Sequence, residues 1–297
     1  MQMRQFRYLV GIADELSFTR AARALNVSQP ALSQTIKDLE DDLGVRLFDR
    51  SARIVRLTEA GVIAVDHARR ALAVTHALRE TIDAYRGLKR GRLRLGVTQT
   101  FNALYLPAIV SQFIRCHDAV DIEVLELANA EIFDRLASGE LSLGVGIGPV
   151  APPLAAYKLY TDSLAFVCAR SHAFAALPTI KPRALADQRL ALLSHGYTTR
   201  ASIDAFLQHH GVSPKRVLEF NTFSAIMSAV SDGACVSIVP ADASSVSPKL
   251  DLYFGRIQPA PPQRTVCLLK GPAGLTTPAA QKFEDIVRAY FRTGAPR

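Results

Sequence analysis

A chain of 297 residues, 49% of them hydrophobic and 21% charged, is sized for two or three domains and can bury substantial cores. Its net charge of +8 is uneven: residues 1–60 carry nine basic and eight acidic groups, residues 61–94 eight and three, and the remainder eighteen and sixteen. Cys116, Cys168, Cys235 and Cys267 have neither CxxC nor cysteine-histidine ligand spacing, which argues against a zinc or redox motif; with no signal-peptide core and no membrane-length apolar run, the expectation is a soluble, cytoplasmic protein with no membrane partner.

Met3, Phe6, Val10 and Ala13 give a first amphipathic helix. Ser17 can cap a second, in which Phe18, Ala21, Ala22 and Leu25 share a face, and Asn26-Val27-Ser28 breaks the period. Ser28 then caps a third helix, with Pro30 tolerated in its first turn and Leu32, Ile36, Leu39 and Leu43 as its apolar stripe. The opposite face holds Gln29, Pro30, Ser33, Gln34 and Lys37. Two short helices joined by a three-residue turn, the second presenting amides, a hydroxyl and a lysine near its start, make a helix-turn-helix that can enter a DNA major groove. Asp38, Glu40, Asp41 and Asp42 cluster at the far end, a polarity that suits a helix N-terminus facing phosphates. Past Gly44, RLFDR and IVRLT are short and β-like around Ser51-Ala52-Arg53, a wing hairpin with Arg50 and Arg53 at its tip. The candidate DNA contacts are therefore Ser28, Gln29, Pro30, Ser33, Gln34, Lys37, Arg50 and Arg53.

Thr58 opens a helical stretch that runs without proline to about Arg86, with Gly87 as its stop. Ala64, Ala68, Ala71, Val74, Leu78, Ile82 and Tyr85 recur every three or four residues. At ~1.5 Å per residue this helix is roughly 40 Å long, too long for one small head to cover, so the stripe needs a partner, most simply a second copy of the chain. Gly87 to Gly91 is the hinge.

Alternating strands and helices follow: strands at 92–98, 120–127 and 141–147 with helices at 103–115 and 131–137, then strands at 163–169, 189–194, 217–220 and 235–240 with helices at 202–210 and 223–231. A strand at 264–270 and a helix at 278–291 end the chain. This reads as two α/β subdomains, the second inserted into the first. In open α/β sheets ligands sit at the carboxyl ends of strands, against helix N-termini. Three such junctions are rich in hydroxyls: Thr98-Gln99-Thr100-Phe101; Ser194 to Thr199, with Tyr197 and Thr198; and the stretch carrying Thr222 and Phe223. Together they suit a small anion; each alone is also explained by helix capping.

The residues FTRAARALNVSQPALSQTIKDLEDDLGVRLFDR (18–50) and RLTEAG (56–61) resemble the N-terminal signature of the LysR-type bacterial transcriptional regulators. The resemblance covers the whole chain and is specific over the first 61 residues. It implies a winged helix-turn-helix at 1–58, a linker helix at 59–87, and a periplasmic-binding-protein-like effector domain with subdomain 1 at 92–161 and 266–297 and subdomain 2 at 162–265. It implies a homodimer through the linker helix, a homotetramer beyond it, double-stranded promoter DNA as partner, a small and anionic effector, and no cofactor. LRLGVTQTFNALYLP and LALLSHGYTTRASID look closest to the cyanate-operon regulators of that family. Gln34 stands where many relatives carry arginine, so their DNA preference does not transfer.

Gly144-x-Gly146-x-Gly148 has the wrong spacing for a dinucleotide loop and reads as a tight strand end, and His209-His210 has no third ligand for a metal. No acid/base pair or activated serine stands out, so the chain is not expected to be an enzyme. The alternative is a cytoplasmic small-molecule-binding α/β protein or enzyme with a helical N-terminal extension.

Overall fold

The computed structural model describes residues 1–49, 55–85, 91–245, 249–272 and 276–292. Its N-terminal head is built from α1 (Met3–Glu15), α2 (Phe18–Ala24) and α3 (Gln29–Leu43). Ser17 and Ser28 cap α2 and α3 through their hydroxyls, accepting from the N–H of Arg20 and Ala31, and Gly44 closes α3 in the left-handed region at φ 69°. Leu9, Ile12, Ala21, Ala22, Leu32, Ile36 and Leu39 interlock as its core. Two short antiparallel strands follow, β1 (Phe48–Asp49) and β2 (Arg56–Leu57), as expected for a wing. The expected tip at Arg50 and Arg53 lies outside the described residues.

Helix α4 (Glu59–Tyr85) starts where Thr58 Oγ1 accepts the Gly61 N–H at 2.9 Å and donates to the Arg46 carbonyl at 2.7 Å. Gly61 is required by proximity, since a Cβ there would stand 2.0 Å from the Leu47 carbonyl oxygen. Val65 and Ala68 of α4 complete the head's core. The expected stripe therefore divides: Ala68 is buried in its own subunit, whereas Val74, Leu78 and Ile82 are 49%, 60% and 49% exposed. The hinge at 87–90 lies outside the described residues.

The rest of the chain runs through β3 (Gly91–Val97), α5 (Gln99–Leu104), α6 (Leu106–Ile114), β4 (Val120–Glu126), α7 (Asn129–Ala137), β5 (Leu143–Ile147) and β6 (Ala155–Asp162). It continues with β7 (Leu164–Ala169), β8 (Thr179–Ile180), β9 (Arg189–Leu193), α8 (Thr198–His209), β10 (Arg216–Phe220), α9 (Phe223–Ser231), β11 (Val236–Pro240) and β12 (Leu252–Ile257). It ends with β13 (Arg264–Lys270) and α10 (Pro278–Arg292). Among the described residues one sheet has the order β4-β3-β5-β13-β6 and the other β10-β9-β11-β7-β12-β8. The chain thus crosses between sheets twice, from β6 to β7 and from β12 back to β13, and the second sheet is an insertion in the first. Leu93, Leu95, Phe113, Phe283 and Val287 anchor one core; Phe166, Leu190, Ile203 and Ile238 anchor another.

The helix expected at 103–115 is two helices that break at Tyr105, one residue before Leu106-Pro107, because a proline ring clashes with a continuing helix. The helix expected at 202–210 begins four residues earlier, at Thr198. Strands β6 and β12 were not expected; each gains its order from antiparallel pairing with β13 and β7. Gly144 and Gly146 do not mark a tight strand end. They lie inside β5 because α7 packs onto it so closely that a Cβ would meet Ile132 Cγ2 at 2.7 Å and Asn129 Oδ1 at 2.5 Å. Of the cysteines, Cys116 is exposed and the other three are buried.

Candidate functional site

The outer face of α3 carries Gln29, Pro30, Gln34 and Lys37 exposed and Ser33 half-buried. Gln29 Nε2 donates to Ser33 Oγ at 2.9 Å, and Gln34 Nε2 donates to Asp38 Oδ1 at 2.7 Å. Both are i to i+4 pairs, so each amide is held along the helix rather than swinging free, and each keeps its carbonyl oxygen unspent by that bond. Glu40 does not belong to the solvated acidic cluster. It is 3% exposed, and its carboxylate accepts from the backbone N–H of Leu47 at 2.8 Å and of Phe48 at 3.2 Å and pairs with Arg46 at 3.2 Å. One buried carboxylate thus ties the end of α3 to the start of the wing.

Arg69 of α4 pairs with two other parts of the molecule. Its guanidinium pairs with Asp14 of α1 in the head and, at 3.1 Å, with Glu140 of the first subdomain.

Between the two subdomains lies a small cleft of about 20 Å³, lined by Thr98, Gln99, Thr100 and Asn129 on one side and Tyr197, Thr198, Thr199 and Phe223 on the other. Space of that size holds roughly one water. Thr98 stands at the cap of α5 and Thr198 and Thr199 in the first turn of α8, so hydroxyls and unpaired helical N–H groups converge on it. Gln99, 8% exposed, spans the cleft and donates to the Asn221 carbonyl. Tyr105 Oη donates to Asp242 Oδ2 at 2.8 Å, and Arg264 Nη1 donates to Thr199 Oγ1 at 2.6 Å.

Arg264 and Asp162 form a buried ion pair where the two crossing segments lie side by side, 5% and 3% exposed at their side chains. Burial pushes the Asp162 carboxyl up, against the pull of Arg264. Burial, and then the bond to Asp242, raises the Tyr105 phenol, and burial raises that of Tyr160, so both stay neutral. On α8, Arg200 is 6% exposed and bonds Asp204, Glu219 and the Leu193 carbonyl; its hydrogen bond holds the Glu219 carboxyl below the usual range.

Three of the expected effector contacts are not on this cleft. Phe101 is fully buried in the first subdomain's core, because its place in α5 turns it inward. The Ser194 hydroxyl donates to Asn221 Oδ1 at 2.8 Å and Phe220 O at 3.3 Å, and Thr222 caps α9 by accepting from the Ala225 N–H at 3.3 Å. Both hydroxyls do local work. Asn129 was missed: it lines the cleft and exchanges bonds of 2.7 and 2.8 Å with the backbone of Ile147. It follows β4 at a strand-to-helix junction, so the rule that located the others could have found it. His210 packs its ring on Phe206, and among the described residues there is no group of three His, Cys, Asp or Glu side chains placed to hold a metal ion. No helix among them is long and apolar enough to cross a membrane.

Residues 3–62 match the family described as "Bacterial regulatory helix-turn-helix protein, lysR family", and residues 86–292 the "LysR substrate binding domain". A probable RuBisCO transcriptional regulator of Gracilaria tenuistipitata var. liui is 30% identical over 301 residues, covering 98% of this chain and 97% of the relative. The transcriptional regulator CbbR of Rhodospirillum rubrum is 27% identical, covering 98% and 97%. Among solved structures, a full-length OxyR from Pseudomonas aeruginosa superposes with a TM-score of 0.75 at 26% identity, covering 98% of this chain and 95% of that one. CbnR, a LysR family transcriptional regulator, gives 0.66 at 25%, covering 97% and 99%.

Proposed function

The chain belongs to the LysR family of bacterial transcriptional regulators, and from that premise we propose that it binds promoter DNA in the cytoplasm as a dimer or tetramer and answers to a small anion held between its two subdomains. We assign the head to residues 1–58, the linker helix to 59–87, subdomain 1 to 92–161 and 266–297, and subdomain 2 to 162–265. On α3, Gln29, Ser33 and Gln34 read base edges, while Ser28 and Lys37 hold phosphate; Arg50 and Arg53 of the wing are assigned to the neighbouring groove or phosphate.

The observation that carries the effector reading is the meeting of Thr98, Gln99 and Thr100 with Tyr197, Thr198, Thr199 and Phe223 around one narrow cleft. No carboxylate lines that cleft, and its polar groups are hydroxyls, amides and helix starts. Such a set favours negative charge. The resemblance to cyanate-operon regulators and the RuBisCO names of the relatives agree on the family and differ on the target genes. Thr100→Val keeps the side chain's shape and removes one donor, at a cost of about 1–3 kcal/mol. Operator affinity without effector should stay unchanged, while the effector concentration for response rises by about one to two decades. Fluorescence anisotropy on DNA flanking the gene, with cyanate, bicarbonate and phosphorylated acids titrated in turn, tests both. An unaltered response in Thr100→Val removes that residue from the site, and a wild-type protein blind to every anion rejects the anionic reading.

A further inference from the structure

Gln99 opens α5, and its side chain reaches from the first subdomain across the cleft to the second, where Nε2 donates to the Asn221 carbonyl. Only 8% of the residue meets solvent. The space left in the cleft, about 20 Å³, holds roughly one water, whereas even a three-atom anion needs roughly three times the space of one. In this arrangement the cleft is filled by a side chain of the protein itself.

The chemistry of the tie suits a group that leaves better than one that holds a ligand. A backbone carbonyl can only accept, so Asn221 fixes which end of the Gln99 amide faces it. The donor end is turned to Asn221, and the other end, Oε1, is an acceptor, which repels an anion. Oε1 is also buried without a hydrogen-bond partner, a cost that is returned as soon as the side chain swings out to water. The Asn221 carbonyl accepts from the Tyr197 hydroxyl of its own subdomain as well, at 3.4 Å, so it keeps a donor when Gln99 departs. Breaking this one contact relieves an unmet group and creates none.

We propose that Gln99 is an internal stop: it fills the effector's place in the ligand-free protein, and an effector enters by displacing it from Asn221. The proposal rests on the reading of the cleft as an anion site and adds a built-in competitor to it. Because the displaced contact joins the two subdomains, entry of the effector is linked to their relative orientation. Removing a residue that holds the effector weakens binding, whereas removing one that blocks it strengthens binding, so the sign of one substitution decides.

The test is calorimetry on the full-length protein, with cyanate, bicarbonate and hydrogenphosphate titrated into the wild type, Gln99→Ala and Gln99→Ser. The two replacements differ in polarity, so that one reports if the other does not fold. Each should bind an anion at least about threefold more tightly than the wild type does, or bind one that gives no heat with the wild type. Thr100→Val added to Gln99→Ala should then weaken that binding by about tenfold or more, which places the anion in the cleft. Weaker or unchanged binding in the Gln99 variants, beside a wild type that binds, overturns the stop and leaves the anionic cleft standing. A gain that Thr100→Val does not diminish overturns it too, since the anion then sits elsewhere. No heat from any of the three anions with wild type or variants overturns both readings together.

Discussion

Leu78→Asp tests whether the linker helix is a dimer contact. Val74, Leu78 and Ile82 lie at i, i+4 and i+8 on α4, and each keeps about half of its surface or more in solvent within one subunit. Burying a whole aliphatic side chain contributes about 1.5–3 kcal/mol, so the exposed half of each is worth roughly 0.75–1.5 kcal/mol. With three residues from each of two protomers, the stripe offers on the order of 4.5–9 kcal/mol, before the cost of association is subtracted. An aspartate at position 78 forfeits its share twice and sets two carboxylates into the seam, where an uncompensated charge costs about 3–5 kcal/mol. The dimer dissociation constant should rise by at least about two decades. Because Leu78 is 60% exposed in the subunit, the thermal midpoint of the dilute monomer should barely move. Sedimentation velocity over a concentration series, beside far-ultraviolet melts, separates the two effects. A variant that associates as the wild type does would show that α4 does not pair through this stripe.

Gln34→Ala should relax specificity at one position of each half-site by about 1–3 kcal/mol, whereas Lys37→Ala should weaken all sequences alike and reduce the salt slope by about one; binding isotherms on operator and scrambled DNA read both. Because Asp38 holds the Gln34 amide, Asp38→Ala should shift the same position rather than act as general charge removal. Arg69→Ala breaks both pairs that join head, linker and first subdomain, and these pairs are partly exposed. Its scattering profile at about 0.05 M salt should match that of the wild type at about 0.5 M, where the pairs are screened. On pH, Glu219 is depressed by Arg200 and Glu123 by Arg94, so each contributes stability that is present above about pH 4.5 and lost as pH falls through its lower folded value. Asp162, raised by burial, works in the opposite sense. Glu219→Gln should flatten the acid limb of the effector domain's melting curve.

The head was legible because its signals are local. Ser17, Ser28 and Gly44 sit at helix ends where their chemistry is needed, and the apolar stripe of α3 predicts the buried residues Leu32, Ile36 and Leu39. The interior strands were legible as short apolar runs. Strands β6 and β12 were not, because their order comes from partners far along the chain. The same holds for the crossing between the two sheets, where Arg264 and Asp162 stand 102 residues apart in sequence and share one ion pair. Phe101 differs for another reason: residues 98–101 read as a junction ahead of a helix at 103–115, whereas α5 already begins at Gln99 and carries Phe101 into the core. Ser194 and Thr222 carried the right atoms at the right kind of junction but spend them elsewhere, Ser194 on Asn221 and Phe220 and Thr222 on the first turn of α9.

How a ligand of atomic size can matter to a head across the molecule is a question of what the cleft's closure is worth. Gln99 to Asn221 and Tyr105 to Asp242 tie the two subdomains in this arrangement, and Arg264, where the crossing segment enters β13, ties that segment to Thr199 of α8. At about 0.5–1.5 kcal/mol net for each hydrogen bond, the three favour closure by roughly 1.5–4.5 kcal/mol. A ligand shifts that balance only by its difference in affinity between closed and open forms, and a coupling of 1–3 kcal/mol is the usual scale for such sites. The two quantities are of the same order, so a few hydrogen bonds to one anion suffice to move the population, and no larger rearrangement is required. The geometry also supplies a route outward. Asn129, at the start of α7, lines the cleft and is fixed to Ile147, while Glu140, just past the other end of α7, meets Arg69 of the linker helix. Helix α7 lies hard against Gly144 and Gly146 of β5, where no Cβ would fit, and so forms one packed layer with its sheet between the cleft and Arg69, which also holds Asp14 of the head.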